Sequence, residues 1–243
     1  MNSLRISTEE LKRIILGLRD LRKEFSQLPK HAKKDNKDFF KNSPTDFSWA
    51  EWYSIPLPKM VASLLYLGSL NKALPKSSNE QFVLDTFMQM DIEFVDYGKG
   101  IERTEYTFSA ITIALIKSIQ CMELYGRSVH AMLMECLDDR PELIFELVKL
   151  DHSIISNQLL VRHFALAEAK NHKKFFEDLA KALTHRPNRT RGLSDFRYSV
   201  VCLHEFGQLE AMSGEEIFQL LAEELKLYST NSSVNSLQRV IGR

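Results

Sequence analysis

The sequence predicts an all-α protein, a multi-helix bundle or irregular helical array that ends in a C-terminal three-helix unit. Three observations carry that expectation. Apolar residues recur at three- and four-residue spacing along most of the chain, the period of one helical face. Only 9 glycines and 7 prolines occur in 243 residues, far fewer than the turns of a sandwich or barrel need. No proline lies between Pro75 and Pro141, or between Pro141 and Pro187. The expected division is residues 1–190, a helical array with an aromatic-rich loop at 30–58, and residues 191–243, the three-helix unit packed on it.

The first helix is opened by a capping box, Ser7-x-x-Glu10, in which each side chain satisfies a free backbone N–H of the first turn. Leu11, Ile14, Ile15, Leu18, Leu21, Phe25 and Leu28 form its apolar stripe, and Pro29 stops it. Lys30 to Pro58 starts basic and turns aromatic, with Phe39, Phe40, Phe47, Trp49, Trp52 and Tyr53 within fifteen residues. Regular structure is weak there except for a short turn at Trp49–Tyr53. So many aromatics argue against disorder, and a connection of this length is often functional. Helices resume at Lys59–Leu70 and, after Ser78-x-x-Gln81, at Glu80–Ile92. Around Tyr97-Gly-Lys-Gly100 a small β-hairpin and a helix C-cap with a loop fit equally well.

Glu105 to Gly126 is apolar nearly all round, with Lys117 the only charge between Tyr106 and Met122. Such a helix belongs at the centre of a bundle. Shorter helices are expected at Ser128–Leu137, at Pro141–Leu150 with Pro141 in the first turn, at His152–Ala169 and at Asn171–Thr184. Asp195–Met212, Glu215–Tyr228 and Ser233 to the end complete the chain. Short helices joined tightly suit stacked antiparallel pairs, although no fixed repeat period is present.

Composition excludes several classes. Lys+Arg is 32 and Asp+Glu is 32, so the formal net charge is zero. A polyelectrolyte that coats nucleic acid by bulk charge is ruled out. The three cysteines, Cys121, Cys136 and Cys202, stand far apart among apolar neighbours. That pattern points to buried reduced thiols rather than disulfides or a metal knuckle. The longest apolar runs, Met60–Leu67 and Ala110–Ile116, fall well short of the ~20 residues that span a bilayer. The N-terminus lacks the apolar core of a signal peptide. A cytoplasmic protein without a membrane partner is expected.

Catalytic and cofactor signatures are missing. There is no P-loop, no dinucleotide fingerprint around Gly98-Lys-Gly100, no G-x-S-x-G elbow and no H-E-x-x-H, since His204-Glu205 is followed by Phe-Gly-Gln. Glu168 and His172 stand at i,i+4, but no second pair accompanies them to complete a metal site. No cofactor is expected.

The binding residues concentrate at the C-terminal end. Ser213-x-x-Glu216 caps a helix with Ile217, Leu220, Leu221, Leu225 and Tyr228 inward. A polar turn follows, and the last helix sets Val234, Leu237 and Ile241 on one stripe. Asn235, Gln238, Arg239 and Arg243 fall on the other side. One face packs while amide and guanidinium groups face bases or phosphates, as a groove-reading helix requires. Together with the two helices before it, this unit resembles a helix-turn-helix, with a longer turn that lacks glycine. The segment Arg162 to Asp195 carries eight Lys/Arg against four acids, and its loop His185–Arg191 sets Arg186, Arg189 and Arg191 where they can grip phosphates. Residues 12–41 are basic too, with ten Lys/Arg against Asp20, Glu24, Asp35 and Asp38.

Arg197 and His204 lie seven residues apart, two helical turns, on one face. The spacing resembles the Arg-His motif of the HEPN ribonucleases over eight residues. In that family the Arg and His of two protomers compose an RNA-cutting site. Tyr198 stands after the arginine, where the family usually has a polar residue.

Three functions fit these residues. The leading one is a non-catalytic helical binding protein that contacts nucleic acid through Asn235, Gln238, Arg239, Arg243, Arg186, Arg189 and Arg191. The second is a protein–protein interaction scaffold anchored by Phe47, Trp49, Trp52 and Tyr53, because Trp and Tyr dominate interface energetics. The third is a HEPN-like ribonuclease using Arg197 and His204.

Overall fold

The computed structural model describes residues 6–27, 49–66, 101–138, 140–187 and 194–242. The helix expected at 80–92 and the stretch around Tyr97–Gly100 lie outside these residues. Among the described residues there are eleven α-helices and no strand. The protein is all-α.

Helix α1 (Thr8–Gln27) begins as its capping box dictates. The Glu10 N–H donates to Ser7 Oγ at 3.3 Å and the Ser7 N–H to Glu10 Oε2 at 2.9 Å. Its stripe buries Leu11, Ile14, Ile15 and Leu18, each contributing about 1.5–3 kcal/mol by leaving water. A 3-10 turn at Trp49–Ser54 leads into α2 (Leu57–Tyr66). Helix α3 (Ile101–Tyr125) is the axis of the molecule, packed by α1, the 3-10 turn, α2 and later helices. Ala110, Ile111, Ala114, Leu115, Ile116, Ile119, Cys121 and Met122 are buried around its circumference. Gly126, at φ +67, ends it in the left-handed conformation that glycine adopts without strain.

Helices α4 (Val129–Asp138) and α5 (Leu143–Leu150) follow. Pro141 lies in the turn before α5 rather than in its first helical turn, and Glu142 is the N-cap. The single helix expected over His152–Ala169 is instead two pieces, a 3-10 turn at His152–Ser156 and α6 (Gln158–Ala169). The break is tertiary in origin. Asn157 is extended and its side chain buried. Its amide donates to Ala50 O at 2.8 Å and Ser54 Oγ at 2.9 Å, and its oxygen accepts from the Leu159 N–H at 3.0 Å. Just before the turn, Asp151 accepts from Tyr53 Oη at 2.9 Å and from the N–H and hydroxyl of Ser153. The first 3-10 turn is thus bonded to the second. Glu51 adds to this junction by accepting from the Gln158 N–H at 2.8 Å.

Helix α7 (Lys173–Thr184) packs on α5. Helix α8 (Ser194–Glu205) packs on α3 and α1, and Tyr198, buried, donates its hydroxyl to Ile15 O at 2.9 Å. The helix expected over Asp195–Met212 is broken at Gly207, φ +68, where a short α9 (Gln208–Ala211) starts. Helix α10 (Gly214–Phe218) carries the expected capping box of Ser213 and Glu216. It passes into a π-helical turn, Gln219–Glu224, in which the Leu225 N–H reaches back to Leu220 O. Lys226, at φ +54, ends the helix before Tyr228, shortening the element the periodicity predicts. Helix α11 (Val234–Ile241) closes the chain, capped by Ser233 and stopped by Gly242 at φ +76. Residues 194–242 share one buried apolar cluster with α1, α2 and α3. Lys12 pairs with Glu224 at 2.7 Å, and Arg22 pairs with Glu123.

All three cysteines are buried and free, and burial pushes their thiols up, that of Cys136 to about 12. No helix among the described residues is long and apolar enough to cross a membrane.

This packing has two measurable consequences. Asn157→Ala removes the buried amide that donates to the Ala50 carbonyl and Ser54 Oγ and caps α6, so it should cost about 2–4 kcal/mol. The midpoint of urea unfolding measures it, with the exposed Ser156→Ala as the near-neutral control. His130 is held below its ordinary 6.5 first by burial, then by Lys59, against a backbone hydrogen bond at Ser54. Below 6.5 the unfolded chain takes up a proton that the folded state resists, so stability should fall as pH drops from that value. In His130→Gln, urea midpoints compared at several pH values from neutral downward should show a shallower decline.

Candidate nucleic-acid interface

The C-terminal helix docks less simply than its stripe predicts. Leu237 is buried, Val234 and Ile241 are half-buried, and Asn235 and Arg239 are exposed. Gln238 does not face outward with them. It is half-buried, and its amide lies over Gly214 so closely that a Cβ there would collide with it. The absence of a side chain at Gly214 is what admits this glutamine, so Gln238 is corrected from the outer face to the α10–α11 contact. Arg239 forms no ion pair among the described residues. Arg243, Arg189 and Arg191 lie outside the described residues.

Arg186 is exposed just after α7. Helix α7 packs on α5 and α11 packs on α10, so the two expected groups of residues sit on different supports.

Of the aromatic anchor, the two side chains described, Trp52 and Tyr53, pack inward. Tyr53 is fully buried with its hydroxyl on Asp151, which removes it from any partner surface. Trp52 is half-buried against the core. Trp49 supplies the first backbone position of the 3-10 turn, and Phe47 lies outside the described residues. The reason is packing: Tyr53 fills space beside α3 while its hydroxyl satisfies Asp151.

Arg197 and His204 both project from α8, Arg197 half-buried and His204 exposed. His204 Nδ1 lies 3.3 Å from Glu210 Oε1.

The most distinctive surface is the α6–α7 hairpin. Helix α6 buries only Leu160 and Ala167, and α7 only Ala182. The turn between them puts Asn171 at φ +48, where asparagine stands in for glycine. The His172 N–H reaches back to Ala167 O at 2.9 Å, and His172 Nδ1 caps α7 by accepting from the Phe175 N–H at 3.1 Å. Beneath the turn Phe175 is a hub. Its ring lies 5.4 Å from Phe145, 5.9 Å from Phe164 and 5.4 Å from Phe176, all tilted or edge-on, the arrangements aromatic pairs favour.

The hairpin's exposed charges are mainly cationic, with Glu168 and Glu177 the exposed acids. Arg162, Lys170, Lys173, Lys174, Lys181 and Arg186 are exposed. Only Lys181 has an ion-pair partner among the described residues, Asp178 at 3.1 Å. Elsewhere most cations are neutralised: Lys12, Arg13, Arg22, Lys23, Lys117, Arg127, Arg140 and Lys149 all meet carboxylates. Lys173 and Lys174 also crowd the positive end of α7, whose first turn holds no acid, an arrangement the helix dipole disfavours. The same hairpin carries three of the five large apolar side chains left exposed among the described residues: Val161 at 54%, Leu166 at 45% and Phe176 at 40%. Sequence charge counts pointed to this stretch; the unpaired state of its lysines needed the tertiary structure. No group of three or more potential metal ligands occurs among the described residues.

Phe175→Ala should loosen this hairpin by about 2–3 kcal/mol, below the range for a fully buried ring because Phe175 is half-buried. Faster proteolytic cleavage at the Lys170–His172 turn, with unchanged cleavage at α11, is the expected readout. Compared with known protein families, curated proteins and solved structures, the chain matches none.

Proposed function

We propose that the protein is a non-catalytic nucleic-acid-binding protein. Its principal contact is the cationic outer side of α6–α7, and Asn235 and Arg239 of α11 add a second. The observation that carries this reading is the set of exposed cations on one hairpin, Arg162, Lys170, Lys173, Lys174 and Arg186, that form no ion pair among the described residues. Several exposed cations on one hairpin raise the local positive potential, which attracts an anionic partner. A phosphate backbone supplies regularly spaced anions, and its bound counterions are released to solvent on contact. Lys173 and Lys174 at the start of α7 add their charge to backbone N–H groups that favour anions. Arg239 and Asn235 offer a guanidinium and an amide suited to phosphates or base edges.

The expected outcome is binding that weakens steeply between about 50 and 200 mM salt. The double variant Lys173→Ala/Lys174→Ala should reduce the slope of log affinity against log salt by about two, one for each phosphate no longer neutralised, and Arg239→Ala by about one. Fluorescence anisotropy of labelled oligonucleotides across a salt series measures both. Affinity that is flat in salt, or a slope the double variant leaves unchanged, would sink the reading.

A further inference from the structure

We propose that the α6–α7 hairpin takes a single strand rather than a duplex, with Phe176 as the platform on which an unpaired base stacks. This rests on the nucleic-acid reading and adds the class of strand to it.

Phe176 lies on a flank of α7, about 20° around the helix from inward-packed Leu183 seven residues on, while Phe175, Leu179 and Ala182 supply the inward side. Its ring is 40% exposed, although burying it would be favourable. The ring is not left to swing freely. It stands at 87° to Phe175, centroids 5.4 Å apart, and Phe175 is itself held by Phe145 and Phe164. A partly exposed aromatic ring is therefore held in place at the helix surface. Its helical neighbours suit a base and its phosphate. Lys173, three residues before, is cationic and unpaired among the described residues. Ala180, four residues after, is exposed and too small to cover the ring. Lys173 to Thr184 spans roughly 18 Å at 1.5 Å per residue, with Lys170, Lys173 and Lys174 at one end and Arg186 just past the other. A backbone laid along α7 meets cations at both ends and the ring between them.

A duplex does not fit this layout as well. Its bases are stacked on one another and offer no face to a ring. Stacking on aromatic side chains inside a cationic track is how unpaired strands are held.

The test uses the full chain, with oligo-dT and oligo-U of about 20 nucleotides and a duplex of the same length, in anisotropy titrations at several salt concentrations. Single strands should bind more tightly than the duplex. Phe176→Ala should weaken single-strand binding about tenfold while leaving the salt slope in place, because stacking and phosphate contact are separate contributions. Phe176→Leu, which keeps apolar bulk without an aromatic face, should weaken it similarly, and Phe176→Trp should preserve it. Unchanged thermal midpoints in these variants confirm that folding is intact. Equal or tighter duplex binding, or a Phe176→Ala variant indistinguishable from the parent, overturns the single-strand proposal and leaves the nucleic-acid reading standing. No binding of either form at low salt overturns both, and an acidic protein partner then becomes the occupant to seek.

Discussion

The outward faces of α6 and α7 depend on how two polar side chains, Asp151 and Asn157, are held inside the molecule. They flank the second 3-10 turn, and each bonds to chain about a hundred residues earlier: Tyr53 for Asp151, Ala50 and Ser54 for Asn157. A buried amide is tolerated when its donors and acceptor are matched, and Asn157 meets that condition. The match sets where α6 starts and how it is rotated. Leu160 and Ala167 therefore turn inward, while Val161 and Leu166 stay in water. Lys117, the lone charge in the apolar midsection of α3, strengthens the same junction. Its ammonium donates to Leu150 O at 3.1 Å and lies 3.8 Å from Asp151.

Two kinds of surface result. Over the body, most cationic side chains among the described residues lie beside carboxylates, in pairs that are each worth little, with Lys226 and Arg239 exposed and unpaired there. Over the hairpin, Lys181 pairs with Asp178 while Arg162, Lys170, Lys173, Lys174 and Arg186 have no ion pair among the described residues, and lysines occupy the unfavourable end of a helix dipole. Phe175 compensates by fastening α7 to α5 and α6 through ring contacts that do not depend on charge. Stability and surface charge are thereby separated, with the apolar side of the hairpin holding it and the outer side free to meet an anion. Departures from local stability of this sort are expected where a surface is used.

Much of the fold was legible in the residues. The capping boxes at Ser7–Glu10 and Ser213–Glu216 formed as written, because each is a contact between residues three apart that no distant chain can easily override. The all-round apolar pattern of residues 105–126 correctly identified the central helix. The two broken helices were not legible. At Asn157 the break rewards bonds to Ala50 and Ser54, which periodicity cannot register. At Gly207 a single residue in the left-handed region cut a pattern that otherwise continued. The candidate surface was half-legible. Its excess of Lys and Arg could be counted, but whether they had partners could not. Tyr53 was expected outside as an interface aromatic and Gln238 as a residue opposite the apolar stripe, yet Tyr53 is buried on Asp151 and Gln238 packs half-buried over Gly214.

Short-range chemistry, namely periodicity, caps and the scarcity of glycine and proline, was sufficient for the helical class and for most helix positions, because those forces act within a few residues. Which polar groups are consumed indoors, and which cations are left to the solvent, depended on pairings between residues far apart in the chain. Such pairings exist only once α3 has gathered its neighbours around it, and they, rather than composition, distinguish the α6–α7 hairpin from the rest of the surface.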